Sequence, residues 1–296
     1  MTAHSEAGQQ QDWLGDRFED HRAHLKAVAY RILGSATDAE DAVQESWLRL
    51  SRSEGSRVEN MRAWLTTVVA RVCLNMLRDR KSRREETFDT SATSPILADD
   101  PVAESEAVLA DSVGLALLVV LDRLNPAERL AFVLHDLFDV PFEEIAPIVH
   151  RTPAATRQLA SRARRRVQGS PVLAEDDLAR RRKVVDAFLA AARAGDFERL
   201  LTVLDPEVEV RTIGLGDAPS VMRGSHAFIE RVKTGGARFA RFCQTALVDG
   251  NPGIVAAPRG HLFRVLRFEF SDDKIVAIDV IGGKEHLSGF DLALLD

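Results

Sequence analysis

At 296 residues, with 45% hydrophobic and 28% charged side chains, the chain has the length for two or three domains and the composition of a globular protein. The polar start MTAHSEAGQQQDWLGD has neither a basic end nor an apolar run, and no stretch approaches the ~18 apolar residues of a membrane span, so neither a secretory signal nor a membrane segment is expected. The net charge of −6 is segregated into basic clusters at 78–84, 157–166 and 180–183 and an acidic stretch at 85–111, a pattern that suits local contact with nucleic acid and a larger partner for affinity.

In chain order, residues 17–33 set Phe18, Leu25, Val28, Ala29 and Ile32 at helical spacing, and Gly34 closes that helix. A second helix is expected over 37–50, with Thr37 as cap and Glu40 completing a capping box. Ala39, Ala42, Val43, Trp47 and Leu50 form its buried stripe. Asp38, Asp41, Gln44, Glu45 and Leu48 face out, and on spacing alone they read as a solvated face, although an outward leucine hints at docking. Residues 60–80 form the longest amphipathic helix. Met61, Trp64, Leu65, Val68, Val69, Val72 and Met76 make one stripe, and Thr67, Arg71, Asn75 and Arg78 lie opposite, ahead of Arg80, Lys81, Arg83 and Arg84. Asn and Arg at one-turn spacing beside a basic tail can bond bases and hold phosphates.

Residues 85–111 hold many acids, no Lys or Arg and two prolines, which predicts an extended tether. A helix is expected over 112–124. Asn125-Pro126-Ala127-Glu128 then opens another that runs to about Phe138. Pro141 starts the next. The stretch FEEIAPIVHRTPAATRQLASRARRRV (142–167) has the layout of a helix-turn-helix: an apolar helix to Val149, a turn at His150-Arg151-Thr152, and a second helix capped by Thr152 with Pro153 at its first position. That second helix carries arginines and no acid, so it is suited to lie against phosphate with its first turns reaching base edges.

After Gly169-Ser170-Pro171 the composition shifts. A helix is expected over 177–194, ended by Gly195, and a short one from the Asp196 cap to Leu204. Strands are expected at 208–213, 241–249, 253–257, 262–270 and 274–282, with a helix at 225–233 capped by Ser225. Helices followed by an antiparallel meander make an α+β layout whose curved sheet leaves a pocket. Cys73 and Cys243 read as buried free thiols, and neither metal nor cofactor is expected.

DAEDAVQESWLRL (38–50) with MRAWLTTVVARVCLNMLR (61–78) resembles region 2 of the extracytoplasmic-function sigma factors of bacteria, and LNPAERLAFVLHDLFDVPFEEIAPIVHRTPAATRQLASRARRRV (124–167) resembles their region 4. The tail resembles a SnoaL-like, cystatin-like cone. The implied fold is multidomain: two all-α sigma domains, a region 2 helical bundle (12–84) and a region 4 helix-turn-helix (112–168), then an α+β SnoaL-like domain (178–296). The acidic linker (85–111) and a short linker (169–177) join them.

The resemblance implies the roles. Asp38, Asp41, Gln44, Glu45 and Leu48 would dock on the β′ clamp of core RNA polymerase, with region 4 on the β flap. Asn60, Arg62, Arg71, Asn75 and Arg78 would hold the melted −10 element of promoter DNA. Thr152, Thr156, Arg157, Gln158 and Ser161 would meet the −35 element, with Arg162, Arg164 and Arg165 on phosphate. Apart from the resemblance, the RRRK run (180–183) and the acidic, apolar tail (286–296) are the expected contacts of the last domain with the sigma regions. A non-enzymatic cytoplasmic protein is expected. The alternatives are a stand-alone helix-turn-helix regulator and a bifunctional protein whose cone domain binds a ligand or catalyses. His226, Asp249, His261, Glu269, Asp279 and His286 are the candidates for that chemistry.

Overall fold

A computed structural model describes residues 3–52, 60–86, 114–216, 218–234, 239–258 and 261–295; nearly all of the acidic 85–111 stretch lies outside these. Internal contacts divide the chain into two units, 1–89 with 124–164 and 90–123 with 165–296. The first helix of the expected region 4 segment therefore groups with the C-terminal domain, and the rest of that segment up to Arg164 groups with region 2.

In the first unit, α1 (Ala3–Leu33) ends at Gly34, which takes a left-handed φ of +77° and donates its N–H to Tyr30 O at 2.8 Å. Ser35 follows in extended backbone and caps α2 (Ala36–Ser51), its Oγ accepting from Asp38 N at 3.3 Å. Thr37, the expected cap, is instead inside the first turn. The chain leaves the glycine already extended, which places the serine one residue before the helix.

Helix α3 (Met61–Glu86) differs from the single apolar stripe expected of it. Met61, Leu65, Val68, Val69 and Val72 are buried, and so are Ala70, Cys73, Leu74 and Leu77 on the other side. The second burial has a cause within the unit: α1 and α2 cover one side, and α5 (Pro126–Phe132) and α6 (Phe142–Val149) cover the other. Burial keeps the Cys73 thiol protonated, pushing its pKa far up.

Asn125 caps α5, its Oδ1 accepting from Glu128 N at 2.9 Å, and Pro126 occupies the first turn, where an amide proton is not needed. The helix expected to run to Phe138 widens into a π-helical turn over Val133–Leu137 and stops at the left-handed Asp139 (φ +54°). His150, also left-handed (φ +56°), ends α6, and Thr152 Oγ1 accepts from Ala155 N at 3.2 Å to start α7 (Pro153–Gln168).

In the second unit, α4 (Leu115–Asp122) is apolar throughout its core-facing length, with Leu115, Ala116 and Leu118 to Leu121 buried. It packs on β3 (Cys243–Val248) and on β7 (Leu292–Ala293), and its Ala116 N–H donates to Gln244 Oε1 at 2.8 Å. Arg123, just past the helix, donates to the carbonyls of Leu287 (2.7 Å), Ser288 (3.3 Å) and Phe290 (3.2 Å). Leu294 N donates to Val167 O at 2.8 Å. The tail expected to touch the sigma segments thus does so. The 180–183 run stays within its own domain: Arg180 pairs with Asp177 at 2.7 Å, and Arg181 lies 5.3 Å over the Phe270 ring.

The C-terminal sheet has the order β2-β1-β6-β5-β4-β3-β7, with β1 (Leu204–Ile213), β2 (Ser220–Arg223), β4 (Asn251–Ala256), β5 (Arg264–Ser271) and β6 (Lys274–Ile281). The β3–β6 meander matches expectation. The sheet is nonetheless mixed, because β1 runs parallel to β6, with Val210 opposite Ile278. Strands β2 and β7 were not expected, being short. Helix α8 (Glu175–Ala194), α9 (Phe197–Val203) and α10 (Ser225–Lys233) complete the domain, and α11 (Lys284–Leu287) is a single turn. Phe188 of α8 meets Phe268 of β5 edge-on at 5.3 Å and Phe228 of α10 at 6.1 Å, above Val185, Ile254 and Ile278.

Candidate nucleic-acid interface

With both long sides of α3 buried, a narrow strip remains. Arg71, Asn75 and Arg78 are exposed along it at i, i+4 and i+7, one face of a helix, with Thr67 half-buried beside them. Lys81 and Arg83 are exposed further along the helix. The five expected −10 residues divide accordingly. Arg62 lies nine residues before Arg71, two and a half turns away at ~3.6 residues per turn, and so projects from the opposite side. Asn60 is exposed but serves as the helix cap, its Oδ1 accepting from Ala63 N at 3.1 Å. Trp64 is half-buried.

Arg62 and Asn60 instead line a hollow of about 300 Å³ with His24 and Thr66 on one side and Phe138, Asp139, Val140, Pro141 and Glu144 on the other. His24 sits at its centre. Its Nε2 is 3.2 Å from Thr66 Oγ1, its Nδ1 is 3.3 Å from the Arg62 guanidinium, and its ring meets Phe138 edge-on at 5.5 Å. Burial, then the charge of Arg62, then His21 hold the His24 pKa below its usual value. Above an ordinary pKa of ~6.5 the ring is neutral both in this contact and when released, and the contact is at full strength. As pH falls through the ordinary value toward the lowered one, release of the ring is favoured by proton uptake. Imidazole shifts followed by NMR should give His24 a midpoint below the ordinary ~6.5 of an imidazole; a midpoint at or above that value would rule out the depressed state.

On α7, Arg157, Gln158 and Ser161 are exposed and follow the exposed Thr152 at its N-terminus. Thr156 departs from its expected place at the DNA. It is buried, and its Oγ1 donates back to Thr152 O at 3.0 Å, so the side chain faces the core. Arg157 rests 5.2 Å over the Phe142 ring. Arg162 pairs with Glu128 at 3.1 Å and Arg164 with Asp136 at 2.5 Å, while Arg165 and Arg166 are exposed. Arg162 and Arg164 must share or exchange a carboxylate to hold phosphate.

On α2, Asp41, Gln44 and Leu48 form an exposed strip, and Leu48 retains 44% of its surface. Glu45 pairs with Arg49 at 2.9 Å, and half-buried Asp38 pairs with Arg80, which also donates to Leu33 O at 3.2 Å. Asp38 is therefore tied to the α3 tail, and the outward part of the set is Asp41, Gln44 and Leu48.

The C-terminal domain holds a cavity of about 460 Å³ between α8, α10 and the sheet. None of His226, Asp249, His261, Glu269, Asp279 and His286 lines it. Asp279 is buried but accepts from Arg211 (2.5 Å) and Arg267 (2.8 Å); Glu269 also pairs with Arg211. Asp249 is left-handed and accepts from Asp291 N at 2.9 Å, and His226 and His286 are exposed. His261 Nδ1 lies 3.6 Å from Asp122 Oδ2.

Residues 17–83 match the family Sigma-70 region 2, and residues 114–167 match Sigma-70, region 4. The sequence is 38% identical over 291 residues to the ECF RNA polymerase sigma factor SigJ of Mycobacterium tuberculosis, covering 92% of each chain. It is 39% identical over 203 residues to the M. tuberculosis sequence that carries the name SigI, covering 67% of this chain and 69% of that one. The crystal structure of the M. tuberculosis extracytoplasmic function sigma factor SigJ is similar with a TM-score of 0.46 and 34% identity, covering 93% of this chain and 98% of that one.

Proposed function

From the premise that this chain belongs to the ECF RNA polymerase sigma factors, we propose that it grips a promoter at two points, with the Arg71–Asn75–Arg78 strip at the −10 element and the start of α7 at the −35 element. It binds core RNA polymerase and directs promoter-specific initiation of transcription. The observation that supports the two-point reading is the presence of two separate exposed basic strips, a narrow one on the mostly buried α3 and a broader one on the outward side of α7. Asp41, Gln44 and Leu48 are the polymerase-facing strip. This work takes place in the cytoplasm; among the described residues no helix is long and apolar enough to cross a membrane.

Geometry requires the first unit to open. Positions numbered 25 apart on DNA are separated by about 85 Å at ~3.4 Å per base pair. A body the size of this unit has a radius of gyration of about 14 Å. Regions 2 and 4, packed together around α3, cannot reach both elements at once, so polymerase binding separates them and opens the hollow that Asn60 and Arg62 line.

The C-terminal domain tunes this cycle by holding α4, the opening helix of region 4, on β3 and β7. The contacts of Ala116 with Gln244 and of Arg123 with the tail support that role. The sigma regions act by binding, and the described lining of the cavity holds no carboxylate or histidine for acid–base chemistry.

The test is in vitro transcription with core polymerase on genomic templates, with and without the chain. Promoter-specific transcripts are expected only with it. Arg157→Ala should change −35 preference, whereas Arg165→Ala should weaken all promoters alike. Equal loss from both on every promoter would undo the division of α7 into reading and phosphate-holding parts.

A further inference from the structure

The cavity of the C-terminal domain is lined by Phe188, Leu189, Val210, Ile254, Leu266 and Val280 among other apolar groups, and its described lining contains no acid. Two arginines interrupt that lining, Arg231 of α10 and Arg264 of β5. Arg231 is exposed, so it stands at the mouth. Arg264 is partly buried, and its Nε is enclosed with no hydrogen-bond partner among the described residues. Its guanidinium lies over the rings of Phe239 (4.7 Å) and Phe263 (4.8 Å), which meet each other edge-on. A neighbouring arginine, Arg193, faces no such shortage, donating to the carbonyls of Ala240 (3.3 Å) and Cys243 (2.5 Å).

An enclosed cationic donor without an acceptor is costly, and a second cation nearby adds to the cost. Burial lowers the Arg264 pKa; Cys243 opposes that, and the charge of Arg231 adds a smaller lowering. The described lining holds no acid to meet this donor, so an anion for it would be a bound ligand. An apolar cavity of this size accepts a small organic body. It disfavours a phosphate or nucleotide, whose several charges would be stripped of water against Phe and Leu side chains.

We propose that this cavity binds an apolar monocarboxylate, with the carboxylate at Arg264 and Arg231 and the hydrocarbon body among Phe188, Leu189, Ile254 and Leu266. The guanidinium fork suits the two oxygens of a carboxylate, and Arg264 is already oriented by its two rings.

The experiment is calorimetric titration of the full chain with decanoate, decan-1-ol and decylamine, which share a body and differ in head group. Decanoate should bind one per chain and at least tenfold more tightly than the alcohol, with the amine weakest. Arg264→Gln should lower decanoate affinity about tenfold and leave the alcohol unchanged. Arg231→Gln, at an exposed position that tolerates change, should act in the same direction if the buried variant fails to fold. Equal binding of acid and alcohol would overturn the assignment of the head group. Absence of decanoate binding, or full binding by both arginine variants, would overturn the site. Because the titration contains no polymerase and no DNA, its failure is distinct from failure of the promoter reading.

Discussion

Replacing Leu48 with arginine should abolish promoter-specific transcription by core polymerase while the chain stays folded. Leu48 is a leucine left 44% exposed on α2 between Gln44 and Arg49, a position that contributes little to the core of the first unit. An apolar side chain set among polar ones gains most when a partner covers it. Loss of a central apolar contact in an interface costs about 2 kcal/mol or more, about 30-fold in affinity, and an inserted charge adds desolvation to that loss. Thermal melting should be nearly unchanged, since surface substitutions away from packed features shift stability by about 0.5 kcal/mol or less. Transcription at wild-type levels across a titration of core enzyme would show that α2 does not face the polymerase through this strip.

Ile278→Ala should damage the C-terminal domain more than any surface change. Ile278 is fully buried at the middle of β6, opposite Val210 in the parallel pairing and opposite Phe268 in the antiparallel one. Truncating a buried isoleucine to alanine costs about 2–5 kcal/mol, depending on how far the site collapses. Hydrogen exchange should therefore lose protection first in β1, β5 and β6. If β1 kept its protection, the parallel pairing that joins it to β6 would not be a main support of the sheet. The same variant leaves Arg157 and the α2 strip untouched in sequence, so any transcriptional effect reports on the C-terminal domain.

Local chemistry made much of this fold legible. The caps at Asn125, Thr152 and Asp196, the turn at His150 and the β3–β6 meander depend on residues within a few positions of one another. Sequence spacing is enough to find them. The cap at Ser35 was legible too, since a serine directly after a helix-closing glycine is a better start than Thr37 two residues on. The second buried side of α3 also left a signal, Ala70, Cys73 or Leu74, and Leu77 at one-turn spacing, which the stronger stripe obscured. What sequence could not supply was the partner for that side. The helices that cover it are many residues away, beyond the acidic 85–111 stretch. The parallel β1–β6 pairing and the short β7 are non-local in the same sense.

For the candidate site, exposure was readable at Arg71, Asn75 and Arg78 because they share a helix face. Placement was not readable for Arg62, which lines a hollow with His24 and Phe138 from two other segments. Nor was it readable for Thr156, where hydroxyl chemistry suggested DNA but the bond back to Thr152 turns the side chain inward. Arg264 was missed altogether. Nothing in the pattern of a β-strand marks one arginine as lying against two phenylalanine rings, one of them from another part of the chain.

Strand β3 carries adjacent residues with opposite duties. Cys243 lines the cavity, where burial pushes its thiol pKa up to about 12, and Gln244 holds the amide of Ala116 on α4. Successive side chains of a strand point to opposite faces, so one strand is the common wall between the cavity and the opening helix of region 4. Two binding events on one wall are thermodynamically linked. If drawing α4 away from Gln244 changes the affinity of the cavity by some factor, filling the cavity changes the release of α4 by the same factor. Couplings of this kind commonly amount to about 1–3 kcal/mol, which is a 5- to 150-fold effect. The first helix of region 4 and the contents of the last domain would then be read out through a single glutamine.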